Sequence, residues 1–238
     1  MGPYTTERAI AQSERFTIYQ ARRGDELVAL KVLRDPSQQA RFSRMMQLVI
    51  PGPHAVKIVD AQRDYAAMEL VDGASLRSQI VRGPMHAHTA IAIVRQLCAA
   101  ISEAHAAGIV HGRIAPTHLL QGATLRVLGH RYRKGDKAVL EPDLVKYVPP
   151  EVLRGARVDE LTDVWSIGVV LFELVEGYKP FDAESYAELT EKLAGDPPAT
   201  AMRMSPHLSL IVSRCLEKSP ERRFLSVVDI DKSLESLR

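Results

Sequence analysis

The run from Val164 to Val175, VWSIGVVLFELV, constrains this chain more than any other stretch. It is apolar over about a dozen residues, but a membrane span needs roughly 20, and this run carries Glu173. It therefore reads as a core helix that other elements must surround. A chain of 238 residues is long enough to supply them. With 46% hydrophobic and 25% charged residues, the composition is that of an ordinary globular protein. A net charge of +2 creates no field that would draw nucleic acid or a membrane surface. Cys98 and Cys215 both fall in helix-like sequence, which predicts buried thiols in a reducing compartment, the cytoplasm, rather than a disulfide. Neither a signal peptide nor a membrane span is expected. MGPYTT fits the form of an N-myristoylation signal, but Pro3 beside the glycine argues for an ordinary start.

Around the core helix the periodicity changes along the chain. FTIYQAR and LVALKVL alternate about the turn RRGDE and predict a hairpin. DPSQQARFSRMMQLV follows, with Phe42, Met45, Met46 and Val49 at helical spacing. AVKIVDA and YAAMELV predict a second strand pair. After DGAS the pattern becomes helical. HTAIAIVRQLCAAISEAHAAG puts Ile91, Val94, Leu97, Cys98 and Ile101 on one face and stops at Gly108. Helices over 160–176, 184–194, 207–218 and 226–237 complete the chain, punctuated by proline and glycine. The expected fold class is α+β. One domain spans 1–238, with a small antiparallel sheet lobe and one helix over about 4–70, a hinge over 69–73, and a larger, mainly helical lobe over 74–238.

Five motifs in order give this pattern a family likeness. VALK resembles the strand motif that carries a phosphate-binding lysine, here Lys31. MELVDGASL resembles a gatekeeper and hinge, with Met68, Glu69 and Val71. YVPPE, TDVWSIGVVLFELVEGYKPF and EKSPERRF resemble three large-lobe anchors. The chain resembles the bilobal protein kinase fold, of the bacterial Ser/Thr type, over nearly its whole length.

The resemblance also fixes where reactive groups belong, and several of those positions carry other residues. Where the phosphate-covering loop needs glycines, AQSERF offers Ala11, Ser13 and Phe16, which predicts a bulkier, ordinary turn. Met45 falls where a helix glutamate should pair with Lys31. In HGRIAPTHLL, Arg113 stands at the catalytic aspartate, Ala115 at the lysine and His118 at the magnesium-binding asparagine. An arginine cannot take a proton, and an imidazole suits magnesium poorly. In TLRVLGHR the metal-anchoring aspartate falls on Gly129, followed by His130 and Arg131, or on Leu128 in the neighbouring register. Loss of a general base costs about 10²–10⁴ in rate and loss of an electrostatic stabiliser about 10²–10³. The expectation is therefore a pseudokinase, not an enzyme. It would be a signalling scaffold that docks a protein partner, such as a kinase or a phosphopeptide-binding domain, with no nucleic acid and no metal.

The resemblance assigns scaffold roles to Glu151, Asp163 and Arg223. Ile18, Ala29 and Leu120, with Lys31, Met68, Glu69 and Val71, would line a nucleotide cleft; the apolar ones either sandwich an adenine or pack on one another. Lys31, Arg113 and Arg131 would converge with His118 and His130 nearby and no acidic neighbour, which suggests weak, metal-independent binding of ATP or another anion. His111 and His130, with Val49 and Ile58, match a packing spine rather than a zinc site. The segment from Gly129 to Glu151 holds no serine or threonine, and only Tyr132 and Tyr147 carry hydroxyls. A second reading is an active Ser/Thr protein kinase or nucleotidyltransferase with non-standard residues, served by an unexpected carboxylate: Glu14, Asp136 or Asp143.

Overall fold

The fold follows from a computed structural model, which describes residues 2–48, 52–129, 132–138, 140–142 and 144–237. The first part of the chain forms strands β1 (Thr5–Gln12), β2 (Phe16–Arg23) and β3 (Glu26–Leu33), then helix α1 (Gln39–Met46), then β4 (Ile58–Ala61) and β5 (Tyr65–Glu69). These strands make one antiparallel sheet in the order β1-β2-β3-β5-β4. The hairpin predicted around RRGDE is β2–β3, and Gly24 supplies the positive φ of its turn (+59°). Side chains alternate across the sheet, so it has two apolar faces. One gathers Tyr4, Ala21, Val28, Leu30, Tyr65 and Ala67. The other packs Leu33 and Ala66 onto Phe42, Met45 and Met46 of α1. Val49, expected on this helix face, lies outside the described residues. The pairing of β1 with β2 slips twice, between Thr6 and Arg8 and between Ala9 and Ala11.

The second part is mainly helical. After the hinge come β6 (Ala74–Ser75), α2 (Leu76–Ile80), α3 (Ala87–Ala106), β7 (Ile109–Val110), β8 (Leu119–Gln121), β9 (Leu125–Val127) and β10 (Tyr132–Arg133). Helices α4 (Pro150–Leu153), α5 (Glu160–Glu176), α6 (Tyr186–Gly195), α7 (Pro206–Cys215) and α8 (Val227–Glu235) follow. The apolar run Val164–Val175 lies in α5, which is buried without interruption from Thr162 to Glu176. Its start is fixed by a capping box between Asp159 and Thr162, and its end by Gly177 in the left-handed region (φ +84°). Helix α3 packs on α5 and α8, and α7 crosses α5 at Gly168, where a methyl group would come within 2.5 Å of Cys215 Cβ. On α3 the buried face runs through Ile93; Ile91, expected there, is half-buried at its edge. Cys98 and Cys215 are buried free thiols. Burial pushes both up, Cys215 to about 12. No helix among the described residues is long and apolar enough to cross a membrane.

Candidate functional site

Between the sheet and the helical part lies a cavity of about 650 Å³, within the range of small-molecule sites. Its roof is the β1–β2 turn. Ser13 N–H donates to Phe16 O at 2.8 Å, Phe16 N–H to Ser13 Oγ at 3.2 Å, and Arg34 to Ser13 O at 3.0 Å. These bonds make a tight turn that brings Ala11, Ser13 and Phe16 onto the cavity wall. Lys31 projects from β3, 9% exposed, with Nζ 4.2 Å from the centre of the Phe16 ring. Met45 of α1 closes the back.

The floor is the loop His111–His118. Asp163 of α5 holds its backbone: Oδ2 accepts His111 N–H at 2.9 Å and Oδ1 accepts Gly112 N–H at 2.8 Å, while His105 Nε2 donates to Oδ2 at 2.8 Å. His111 is held at both ring nitrogens. Nδ1 accepts Arg113 N–H at 3.2 Å and Nε2 donates to Leu128 O at 2.9 Å, which is the neutral tautomer. Gly112 has φ +65°, and a Cβ there would sit 2.5 Å from the Tyr132 ring, so only glycine fits. Ala115, within this loop, is buried. His118 Nδ1 donates to Arg113 O at 2.8 Å, and its ring lines the cavity with Leu128 and Gly129.

Arg113 reaches into this space, 5% exposed. Its Nη2 pairs with Glu141 Oε2, and Arg15 Nη1 holds the other oxygen, Oε1, at 2.6 Å. Burial draws Arg113 below its ordinary value, and Glu141 opposes that shift. The expectation of converging cations with no acidic neighbour does not hold: Glu141 lines the cavity and neutralises part of their charge. None of the carboxylates considered from sequence takes that place. Glu14 is exposed on the β1–β2 turn, and half-buried Asp136 accepts Arg133 N–H at 2.9 Å. Asp143, His130 and Arg131 lie outside the described residues.

Of the residues assigned to a nucleotide cleft, Ile18, Lys31 and Met68 line the cavity. Ala29 is buried between β2 and β5, and Leu120 and Val71 are half-buried away from the lining. Glu69 pairs with Arg126 and accepts Lys57 N–H at 3.1 Å. Below the site, Arg223 clasps Glu151 in two bonds of 2.8 Å. Tyr147 OH donates to Glu173 at 2.6 Å, and Arg77 and Lys179 also contact that carboxylate. Burial and Glu173 hold the Tyr147 phenol well above its usual range. Tyr132 and Tyr147 are 4% and 5% exposed, so neither hydroxyl is offered to a modifying enzyme.

A divalent metal does not fit the described lining. Its single carboxylate is already shared by two guanidinium groups, and Leu128 and Gly129 bring no side-chain oxygen.

The protein kinase domain family matches residues 4–231 of this chain. The chain is 31% identical over 236 residues to the serine/threonine-protein kinase PknB of Mycobacterium leprae, an alignment covering 87% of this chain and 38% of that protein. It is 27% identical to the serine/threonine-protein kinase pkn3 of Myxococcus xanthus, covering 98% of this chain and 50% of that protein. It is 29% identical to the CBL-interacting protein kinase 12 of Oryza sativa subsp. japonica, covering 98% and 47%. The chain thus spans about half or less of the length of these relatives. The matches overturn the expectation of a catalytically inert pseudokinase scaffold that is not an enzyme, because the family and the relatives are those of kinases.

Proposed function

This chain belongs to the protein kinase family, and on that premise we propose that it is a nucleotide-dependent phosphotransferase acting on a serine or threonine hydroxyl of a protein acceptor. The observation that carries the reading is the chemistry on the lining of one cavity: Lys31, Arg113 and Glu141, two cations and a carboxylate around one space. The cations match the negative oxygens of a transferring phosphoryl group, whose transfer depends mainly on positioning and electrostatic stabilisation. Glu141 is the only carboxylate on the described lining and supplies the acceptor for the hydroxyl proton. Ile18 and Met68 offer apolar walls to the base of a nucleotide.

In this assignment the residues that serve the nucleotide are non-standard, so the assay must not presuppose magnesium. Incorporation of label from γ-labelled ATP into a Ser/Thr-containing acceptor protein is measured without metal, with magnesium and with manganese. Lys31→Met and Glu141→Gln are each expected to lower incorporation by about 10²-fold or more. Incorporation that Lys31→Met leaves unchanged, or none with any metal condition, would overturn the proposal.

A further inference from the structure

The basic stretch that starts at Arg133 is pinned to the protein by its backbone. Asp136 N–H donates to Arg133 O at 3.0 Å, and Arg133 N–H donates to Asp136 Oδ2 at 2.9 Å. Two further bonds tie this turn to the chain that precedes α5: Gly135 N–H to Val158 O at 2.9 Å and Val158 N–H to Asp136 O at 3.0 Å. Arg133, Lys134 and Lys137 are all exposed on it. Arg157, also exposed, joins them. Its Nη1 donates to Gly135 O at 2.6 Å, and the residue stands opposite Lys137 in an isolated antiparallel bridge. Residues directly opposite in such a bridge share one face, and like charges placed there repel. The acids nearby in sequence do not cancel this charge. Asp136 is committed to the N–H of its own turn, and Asp159 caps α5 by accepting Leu161 N–H at 3.0 Å. Glu160 takes Lys134 at 2.9 Å. Among the described residues, Arg133, Lys137 and Arg157 make no ion pair.

We propose that Arg133, Lys137 and Arg157 form a docking surface for an acidic segment of a partner protein, with a glutamate or aspartate carboxylate bridging Lys137 and Arg157. A carboxylate between those two residues relieves their repulsion and takes charge-assisted hydrogen bonds from both. The bonded turn holds the cations in place before the partner arrives, which lowers the ordering cost of binding. Carboxylate chemistry already suits the turn, because Lys134 carries one from Glu160. A nucleic acid suits it less. Tyr132, the aromatic ring beside the turn, is buried and offers no face on which a base could stack. The surface lies apart from the cavity lining, and its occupation does not depend on the proposed transferase activity.

The test is fluorescence anisotropy on the full chain, without nucleotide, at low and high salt. The probes are a short labelled peptide alternating glutamate and glycine, its glutamine analogue, and a labelled single-stranded oligonucleotide of equal charge. The glutamate peptide should bind at low salt and weaken as salt rises, while the glutamine analogue does not bind. Lys137→Glu and Arg157→Gln should each weaken the glutamate peptide by about fivefold to tenfold. Lys232→Glu, on an exposed position of α8, makes the same change of net charge as Lys137→Glu and should leave binding unaltered. Thermal midpoints of the three variants, equal to that of the unchanged chain, separate loss of contact from loss of fold. The proposal fails if the glutamate peptide does not bind, if the glutamine analogue binds as well, or if Lys232→Glu weakens binding as much as Lys137→Glu. Tighter binding of the oligonucleotide, lost in the same two variants, would reassign the surface to nucleic acid and overturn the protein partner.

Discussion

Arg223 is 1% exposed, and a buried guanidinium is tolerable only because its donors are used. Glu151 takes two of them, and the carbonyls of Glu217, Lys218 and Leu161 take others. Removing the carboxylate leaves that charge without its counter-ion, so Glu151→Ala should cost about 3–5 kcal/mol, read as a lower urea midpoint. Arg223→Leu, which deletes the charge rather than stranding it, should cost less than the Glu151 change. This pair was legible from sequence because both residues sit in recognisable motifs, YVPPE and EKSPERRF. Glu141 was not. It meets Arg113 across 28 positions and Arg15 across 126, within a stretch that has no helical or strand period. No motif marks its position, and its one signal in the sequence is the surplus of cations, Lys31 and Arg113, expected in the cleft without an acid.

Among the elements, the helices were read most fully, because each buries one face and so repeats its apolar residues at helical spacing. The predicted span 160–176 coincides with α5, while α6, α7 and α8 differ by a residue or more at their ends, where caps rather than burial decide the boundary. Strand β1 had no such signature: every residue from Thr5 to Gln12 is exposed, so its sequence carries no buried alternation. The crossing of α5 and α7 depends on Gly168. Gly168→Ala would drive a methyl to 2.5 Å from Cys215 Cβ and should cost about 1–3 kcal/mol by chemical denaturation. Gly195→Ala in α6 meets nothing within 4 Å and should be neutral or stabilising by up to about 1 kcal/mol.

At the scale of the whole molecule, stability should depend on pH through Lys218. Burial lowers it from an ordinary 10.5 to about 8, although the Phe181 ring, 3.9 Å from Nζ, favours the ammonium. Between about pH 8 and 10.5 the unfolded chain binds more protons at this residue than the folded one, so its contribution to stability rises with pH across that window. Below pH 8 the penalty of a buried ammonium is fully present. Lys218→Met should therefore raise the thermal midpoint at pH 7 and flatten the relative gain between pH 7 and 9.5, measured side by side with the unchanged chain.

The irregular pairing of β1 matters beyond the fold of one copy. Its slips divide the ladder into pairs of residues, Thr5–Thr6, Arg8–Ala9 and Ala11–Gln12. A stranger strand approaching this rim would find its rungs in phase for two steps and then displaced, twice over, beside the charges of Glu7 and Arg8. The outermost ribbon of the sheet thus carries its own safeguard against fibre-like self-association.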